Sequence, residues 1–358
     1  MRAARSGRPA GDCRPRGRLP LPALMPVLMV ALVLAIAVDA SVGAGGVGVL
    51  SMARVVGHHL AGVVVPAHFD AVQDQIVWQL RIPRVLLGAV VGAGLAAVGT
   101  TLQAVVRNPL ADPYLLGVSS GAGFVAAATI TLGSAALVGL STSAGAFLGA
   151  LITTALVLVV SRGTFAPTRV LLAGVTFSYL FAGATSFLIF ASDDPRAASS
   201  VLFWTLGSLA GAQWSTLGAP AAAVLLFTVY LLVQARPLNA LVAGAETALS
   251  VGFDVRRLQV QLLIATALVT GLVVAVAGGI GFVGLIIPHL VRELVGPDHR
   301  RVLAVAVVVG AIYLVAVDIV CRTVASPAEL PIGIVTSVLG APYFLWLLHR
   351  DHAPELSR

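Results

Sequence analysis

The chain contains no lysine: all 22 of its basic residues are arginine. A P-loop needs GxxxxGK[ST], with the lysine reaching the terminal phosphates, so this chain is not its own ATPase of that type. Charge of either sign is scarce, at 10% of 358 residues, where a soluble domain carries about 25%. Cysteine is nearly absent too. Cys13 lies on a polar tail and Cys321 at a helix end, and two such residues make no disulfide framework or metal pattern. Aromatics reach only 6%, and no aromatic-basic module for nucleic acid is present.

What fills the chain instead is apolar surface: 58% hydrophobic residues and a mean hydropathy of +1.00. At roughly 20 residues per span, ten runs are long enough to be membrane helices. They fall at about 21–42, 84–104, 114–133, 143–161, 169–190, 216–235, 259–277, 282–295, 301–320 and 331–349. The eighth is short and contains Pro288, so it either fails to span alone or is built from two pieces. The expected fold class is an all-α membrane protein of about ten transmembrane helices, with 21–350 as one polytopic domain. Residues 1–20 are rich in Arg, Pro and Gly without periodicity and read as a disordered tail; 351–358 reads as a second tail. The first tail with its apolar run imitates a signal peptide, but removing it would strand the new N-terminus on the wrong side, so it is read as an uncleaved first helix.

Arginine placement orients the bundle. With the N-terminus inside, the cytoplasmic side holds 17 of the 22 arginines, and the outer side keeps Arg54, Arg81, Arg84, Arg196 and Arg322. That bias follows the positive-inside rule and puts both termini in the cytoplasm of a cell-membrane protein.

Residues 81–123 are the densest in signals. Arg81 and Arg84 stand at the mouth of a segment whose Gly88, Gly92, Ala96 and Gly99 make a small-xxx-small face, where another helix can approach closely. RNPLADP at 107–113 then breaks the helix, and a second apolar segment opens on Gly117 and Gly121. The small-residue faces of 84–104 and 169–190 are candidates to line a translocation path.

The polar residues offer no chemistry of their own. No carboxylate falls near mid-span, so nothing supplies the ion relay of a secondary transporter. Asp39 and Asp318 lie near outer helix ends, and Asp318 can pair with Arg322 four residues on. His58, His59, His68 and Asp70 share an outer loop at no standard metal spacing, and His289 is isolated, so no metal site, cofactor or catalytic group is expected. GAGG at 43–46 and GVSSGAG at 117–123 follow no strand, against phosphate cradling. The largest inner loop, 236–258, is read as a short helix over about 239–250 lying along the inner surface and stopped at Gly252, either as an amphipathic surface helix or as a docking helix for a cytoplasmic partner.

These blocks together resemble the permease subunit of the iron-siderophore and cobalamin family of ATP-binding-cassette importers. The resemblance rests on RIPR at 81–84, Gln103 with RNPLADPYLLGVSSGAG at 107–123, TRVLLAGV at 168–175 and FWTLGSLAGAQW at 203–214. It continues through RPLNALVAGAETALSVGFDVRR at 236–257, GGIGFVGLIIPHLVRELVGPDHR at 278–300, DIVCR at 318–322 and ELPIGIVTSVLGAPYFLWLL at 329–348. It implies a type II importer permease that does no covalent chemistry, pairs with a second permease (a copy or a paralogue), binds separate ATPase subunits inside and receives a substrate-binding lipoprotein outside. AETALSVGF at 245–253 resembles the family's coupling segment, which nominates Ala245, Glu246, Ala248 and Gly252 for ATPase contact. Arg81, Arg84 and Arg322 match outer arginines that pair with glutamates of the binding protein. The implied cargo is a ferric siderophore, with cobalamin or haem as the alternative. A self-sufficient secondary transporter, or a membrane-embedded enzyme, is the rival from another class.

Overall fold

The computed structural model describes residues 19–43, 48–61, 71–133, 139–161 and 167–352. The two expected tails, apart from residues 19–20 and the two residues of the last helix, lie outside this set. All regular structure among the described residues is helical. In chain order the helices are α1 Leu21–Ser41, α2 Val49–Ala61, α3 Ala71–Gln75, α4 Ile82–Val106, α5 Val118–Leu132, α6 Thr142–Val160, α7 Pro167–Phe190 and α8 Ala197–Leu206. They continue as α9 Trp214–Val233, α10 Ala235–Ala243, α11 Ala245–Ser250, α12 Val255–Ala277, α13 Val283–Val295, α14 His299–Thr323 and α15 Ile332–His352. A π-helical stretch, Ile76–Arg81, joins α3 to α4, and a 3₁₀ turn, Pro113–Leu116, precedes α5.

Each of the ten expected spans coincides with a helix: α1, α4, α5, α6, α7, α9, α12, α13, α14 and α15. Seven helical segments among the described residues are long and apolar enough to cross a membrane by themselves. The eighth expected span is α13, and at about 1.5 Å per residue its 13 residues cover only about 20 Å of a roughly 30 Å core. Pro288 does not divide it, because the helix runs through that position. The missing length is supplied by the irregular residues 278–282 before it.

Helix α4 is the spine. Of its most apolar window 83% is buried, and its small face is used up by neighbours inside the same chain. A Cβ on Gly92 would overlap the carbonyl of Gly310 on α14, and one on Gly99 would overlap the carbonyl of Gly284 on α13. Backbone meets backbone at both crossings, which only glycine permits. The expectation that this face lines a translocation path is therefore corrected: it is packed shut. Thr100 and Thr101 sit buried on the same helix, satisfied by donating to Ala96 O and Ala97 O one turn back, each at 2.8 Å. Thr153 of α6 does the same with Gly149 O at 2.7 Å, beside Gly121 of α5.

The Gly99–Gly284 crossing lies seven residues, about 10 Å, from the last residue of α4, so the start of α13 is inside the membrane thickness. Helix α8 ends beside residues 277–280, just ahead of that start. Ser208 N donates to Ala277 O at 2.9 Å, Ile332 N donates to Gly207 O at 3.0 Å, and Gly278 is pressed against Trp204 O. Three chain breaks, at 207–213, 278–282 and 324–331, thus meet between the helices. Irregular backbone survives at this depth only where protein or an aqueous cavity satisfies it.

Candidate transport site: elbow, latch and cavity

One end of the bundle carries α10 and α11, an elbow attached directly to α9. The sequence reads this stretch as one helix over 239–250; it is two, starting earlier and divided at Gly244, whose φ of +134° no ordinary side chain adopts. Helix α10 is the anchored half. Leu238 and Leu241 are fully buried, and Asn239 Oδ1 accepts the His299 backbone N–H at 2.9 Å and lies 2.7 Å from His299 Nδ1. An amide oxygen only accepts, so Nδ1 carries the proton here. Helix α11 is the presented half. Ala248 holds it down at 0% exposure and Ala245 is half-buried, while Glu246, Leu249 and Val251 face outward. Glu246 lies in the first turn of α11. Gly252 has φ +90° with open space around its Cα, and Phe253 N returns to Ala248 O at 3.0 Å to close the turn. Asp254 then caps α12 by accepting from Arg257 N at 3.0 Å.

The opposite end is latched by charge. Arg84 grips Asp318 with two parallel bonds, Nε to Oδ2 at 3.0 Å and Nη2 to Oδ1 at 2.9 Å, and sends Nη1 to Glu329 at 2.8 Å. Arg322 pairs with Asp39, stands 3.2 Å from Asp318, and donates Nη1 to Val42 O at 2.7 Å. Arg81, only 5% exposed, sends Nη1 to Ala40 O at 2.9 Å and to Ser41 O at 3.2 Å, and Nη2 to Gly43 O at 3.4 Å. Ala40 O and Ser41 O are the last carbonyls of α1, which a cation suits both as donor and as counter-charge to the helix dipole. The three arginines expected at the rim are thus brought together, but around acids and carbonyls of their own chain. The Asp318–Arg322 pair forms as its spacing indicates, and Asp39, fully buried, is the acid that sequence spacing could not pair. Cys321 is buried among these groups as a free thiol.

Of the loop histidines, His59 Nε2 lies 2.9 Å from Asp74 Oδ1 and the ring stacks on Trp78 at 4.2 Å. Trp78 in turn packs on Trp214, whose Nε1 donates to Trp78 O at 2.8 Å. His68 and Asp70 lie outside the described residues. No group of three metal-ligating side chains occurs among the described residues. His289 Nε2 is 3.9 Å from Glu293 Oε1, one turn on in α13.

Between the two ends, the meeting breaks border three open cavities of about 390, 270 and 350 Å³. Tyr114 and Gly279 line the first and second, Thr205 joins both, and Trp204 stands between the second and third. The other polar lining is hydroxyl: Ser119, Ser120 and Thr185 in the second, Ser337 in the first. Phe282 lines the largest with φ +68°, a left-handed conformation rare for a bulky side chain, and its ring fills the space left by Gly340 on α15. Asp112 lines it too, at 8% exposure. Sequence reading placed that carboxylate in a loop; the fold folds the loop inward. The one local signal is that an Asp-Pro pair sits between two very apolar segments, where a hydrated turn has no room.

A membrane-embedded body with broken helices around weakly polar cavities, and an exposed elbow at one end, is a transporter's architecture. The model of the FecCD transport family matches residues 28–350. The chain belongs to the FecCD transport family. Among curated relatives it is 42% identical over 273 residues to the cobalamin import system permease protein BtuC of Halobacterium salinarum, covering 76% of this chain and 73% of that one. It is 41% identical over 280 residues to the hemin transport system permease protein HmuU of Yersinia pestis, covering 77% and 84%. A metal-chelate type ABC transporter solved in an inward-facing conformation superposes with a TM-score of 0.78 at 33% identity, covering 92% of this chain and 99% of that one. This FecCD-family chain is accordingly a multi-pass ABC importer permease, a class whose members are not themselves enzymes and work with ATPase subunits and a second permease.

Proposed function

We propose that this permease carries a bulky metal chelate across the cell membrane, and that the cargo is a macrocycle of the cobalamin or haem kind rather than the ferric siderophore that the motif resemblance alone suggests. The observation that carries the first part is the set of cavities at the meeting of α8, 278–282 and α15. It offers hydroxyls, aromatic edges and small residues, a wall that suits a large, weakly polar solute. The second part leans on two relatives above 40% identity, one named for cobalamin and one for hemin. The test is uptake by proteoliposomes containing the permease with its cognate ATPase and binding protein, offered cyanocobalamin, hemin or ferrichrome. Uptake of a macrocycle is expected; uptake of ferrichrome alone overturns the cargo reading.

The elbow end faces the cytoplasm in this proposal, and α11 is the part the ATPase grips: Glu246 presented, Ala248 pinning the helix, Gly244 and Gly252 as its two free joints. Single cysteines placed at positions 246 and 300 of a chain without its native cysteines should label only after permeabilisation, and one at 54 in intact cells. Labelling of 300 from outside would reverse the orientation.

The latch end then receives the binding protein. Arg81 and Arg322 are committed inside, and exchange is easiest at Arg84, whose partner Glu329 is 43% exposed. An incoming carboxylate can take the place of Glu329 on Nη1 without disturbing the bidentate hold on Asp318. Among several exposed apolar faces, that of α7 and α15, with Tyr179, Phe187, Phe190 and Trp346 open, is the one proposed for the second permease.

A further inference from the structure

The three cavities hold hydroxyls, aromatic rings and backbone, and among the described residues lining them Asp112 is the single charged side chain. Its placement is built by the fold. Arg107 ends α4 in a left-handed conformation at φ +52° and turns the chain back. Asp112 Oδ1 then accepts from Tyr114 N at 2.9 Å, which fixes the side chain at the start of the 3₁₀ turn. Ala111 beside it is buried, and Pro113 packs against Gly284 at the first turn of α13. The carboxylate therefore sits where α13, α15 and the end of α8 converge, at the wall of the 390 Å³ space. No arginine lines that space. The titratable neighbour there is the Tyr114 phenol, uncharged near neutral pH without any shift; the side chains from α8, residues 279–282, α13 and α15 that line the space do not titrate.

A buried carboxylate with one backbone donor retains unused acceptor capacity, and an anion brought beside it meets like charge in a poorly hydrated place. A neutral donor meets a charge-assisted hydrogen bond instead. The cavity is too small for a whole macrocycle and large enough for one of its peripheral arms. We propose that Asp112 selects the cargo by its periphery: it holds an uncharged hydrogen-bond donor such as a carboxamide arm of the chelate and disfavours an arm that ends in a carboxylate. This rests on the chelate-import reading and narrows its cargo to amide-bearing chelates over carboxylate-bearing ones. Burial raises the Asp112 carboxyl to about 6, so the selection is present at pH 7.5 and fades at pH 5.5, where the group is protonated.

The test uses two probes that differ in one group, cyanocobalamin and its monocarboxylic acids, in which one propionamide is hydrolysed. Equilibrium binding of each to the purified permease–ATPase complex, with no binding protein present, is measured at pH 7.5 and 5.5. The wild type is expected to prefer the amide by about tenfold at pH 7.5, the size of one charge-assisted bond, and by much less at pH 5.5. Asp112→Asn keeps the acceptor for Tyr114 N and should abolish the preference at both pH values. Asp112→Ser, also a good cap, should do the same and separates loss of charge from loss of fold. An equal preference in wild type and Asp112→Asn overturns the proposal, as does no preference in the wild type. Uptake of cyanocobalamin by the complete importer is read separately, so the cargo reading can stand where this one falls.

Discussion

Helices α4 and α7 look alike as strings of residues and end in opposite places. Each is about 25 residues long, apolar, and marked by glycine and alanine at near-helical spacing. Yet 83% of the most apolar window of the first is buried against 11% of that of the second. The difference is what each small residue finds opposite. Gly92 and Gly99 find the glycine backbones of α14 and α13, so close that no side chain fits, while nothing lies within 4 Å of a Cβ placed on Gly183 of α7. A small-residue face closes a contact only where a second such face meets it. The α4 stripe is structural for that reason, and the α7 surface is left for whatever joins the chain.

That contrast breaks most sharply at Gly99. Gly99→Val drives a branched side chain into the Gly284 carbonyl, and core overpacking of this kind costs about 1–3 kcal/mol or more. Loss of monodisperse protein on size-exclusion chromatography in detergent is expected; a well-behaved variant would mean the spine is looser than its packing. Asp318→Ala comes next, since it removes the bidentate partner of Arg84 and one of the two acids beside Arg322, which keeps Asp39; breaking a buried pair outright costs about 3–5 kcal/mol. Glu329 still holds part of Arg84, so a drop in melting temperature at the lower end is expected by fluorescence-monitored unfolding.

Smaller effects sharpen the other side. Gly252→Val forces a branched residue to φ +90° at an open surface position, so the chain should insert and bind its ATPase while transport per ATP hydrolysed falls severalfold; normal uptake by the variant would remove the elbow from coupling. Glu329→Gln gives up one half-exposed pair worth about 0–1 kcal/mol, leaves stability almost unchanged, and should tighten binding of the loaded binding protein by freeing Arg84 Nη1. An unchanged affinity would place docking elsewhere. Gly183→Val should alter the melting temperature of the isolated chain least of all, and any loss it causes should appear in association with the second permease.

Reading the residues found the ten spans because an apolar run of twenty residues has few other uses, and found Gly252 because a helix must end where the chain turns sharply. It misjudged the elbow at Gly244, since glycine between alanines is also tolerated inside a helix. The rim arginines were legible as a group, but most of their partners within the chain were not. Asp39 lies 283 residues from Arg322 and Glu329 lies 245 from Arg84, and only the approach of α1, α4 and α14 makes them partners. Asp112 was read as loop because depth is not a property of local sequence.

Composition and hydropathy alone settle that this chain lives in a membrane as a helical bundle and hydrolyses no ATP through a P-loop, because desolvation of side chains and the chemistry of a missing lysine act residue by residue. Which small faces close, which charges neutralise one another, and which carboxylate ends at a cavity wall were decided by the tertiary structure. Each depends on the distance between segments far apart in the chain, and packing and Coulomb energies vary steeply with that distance.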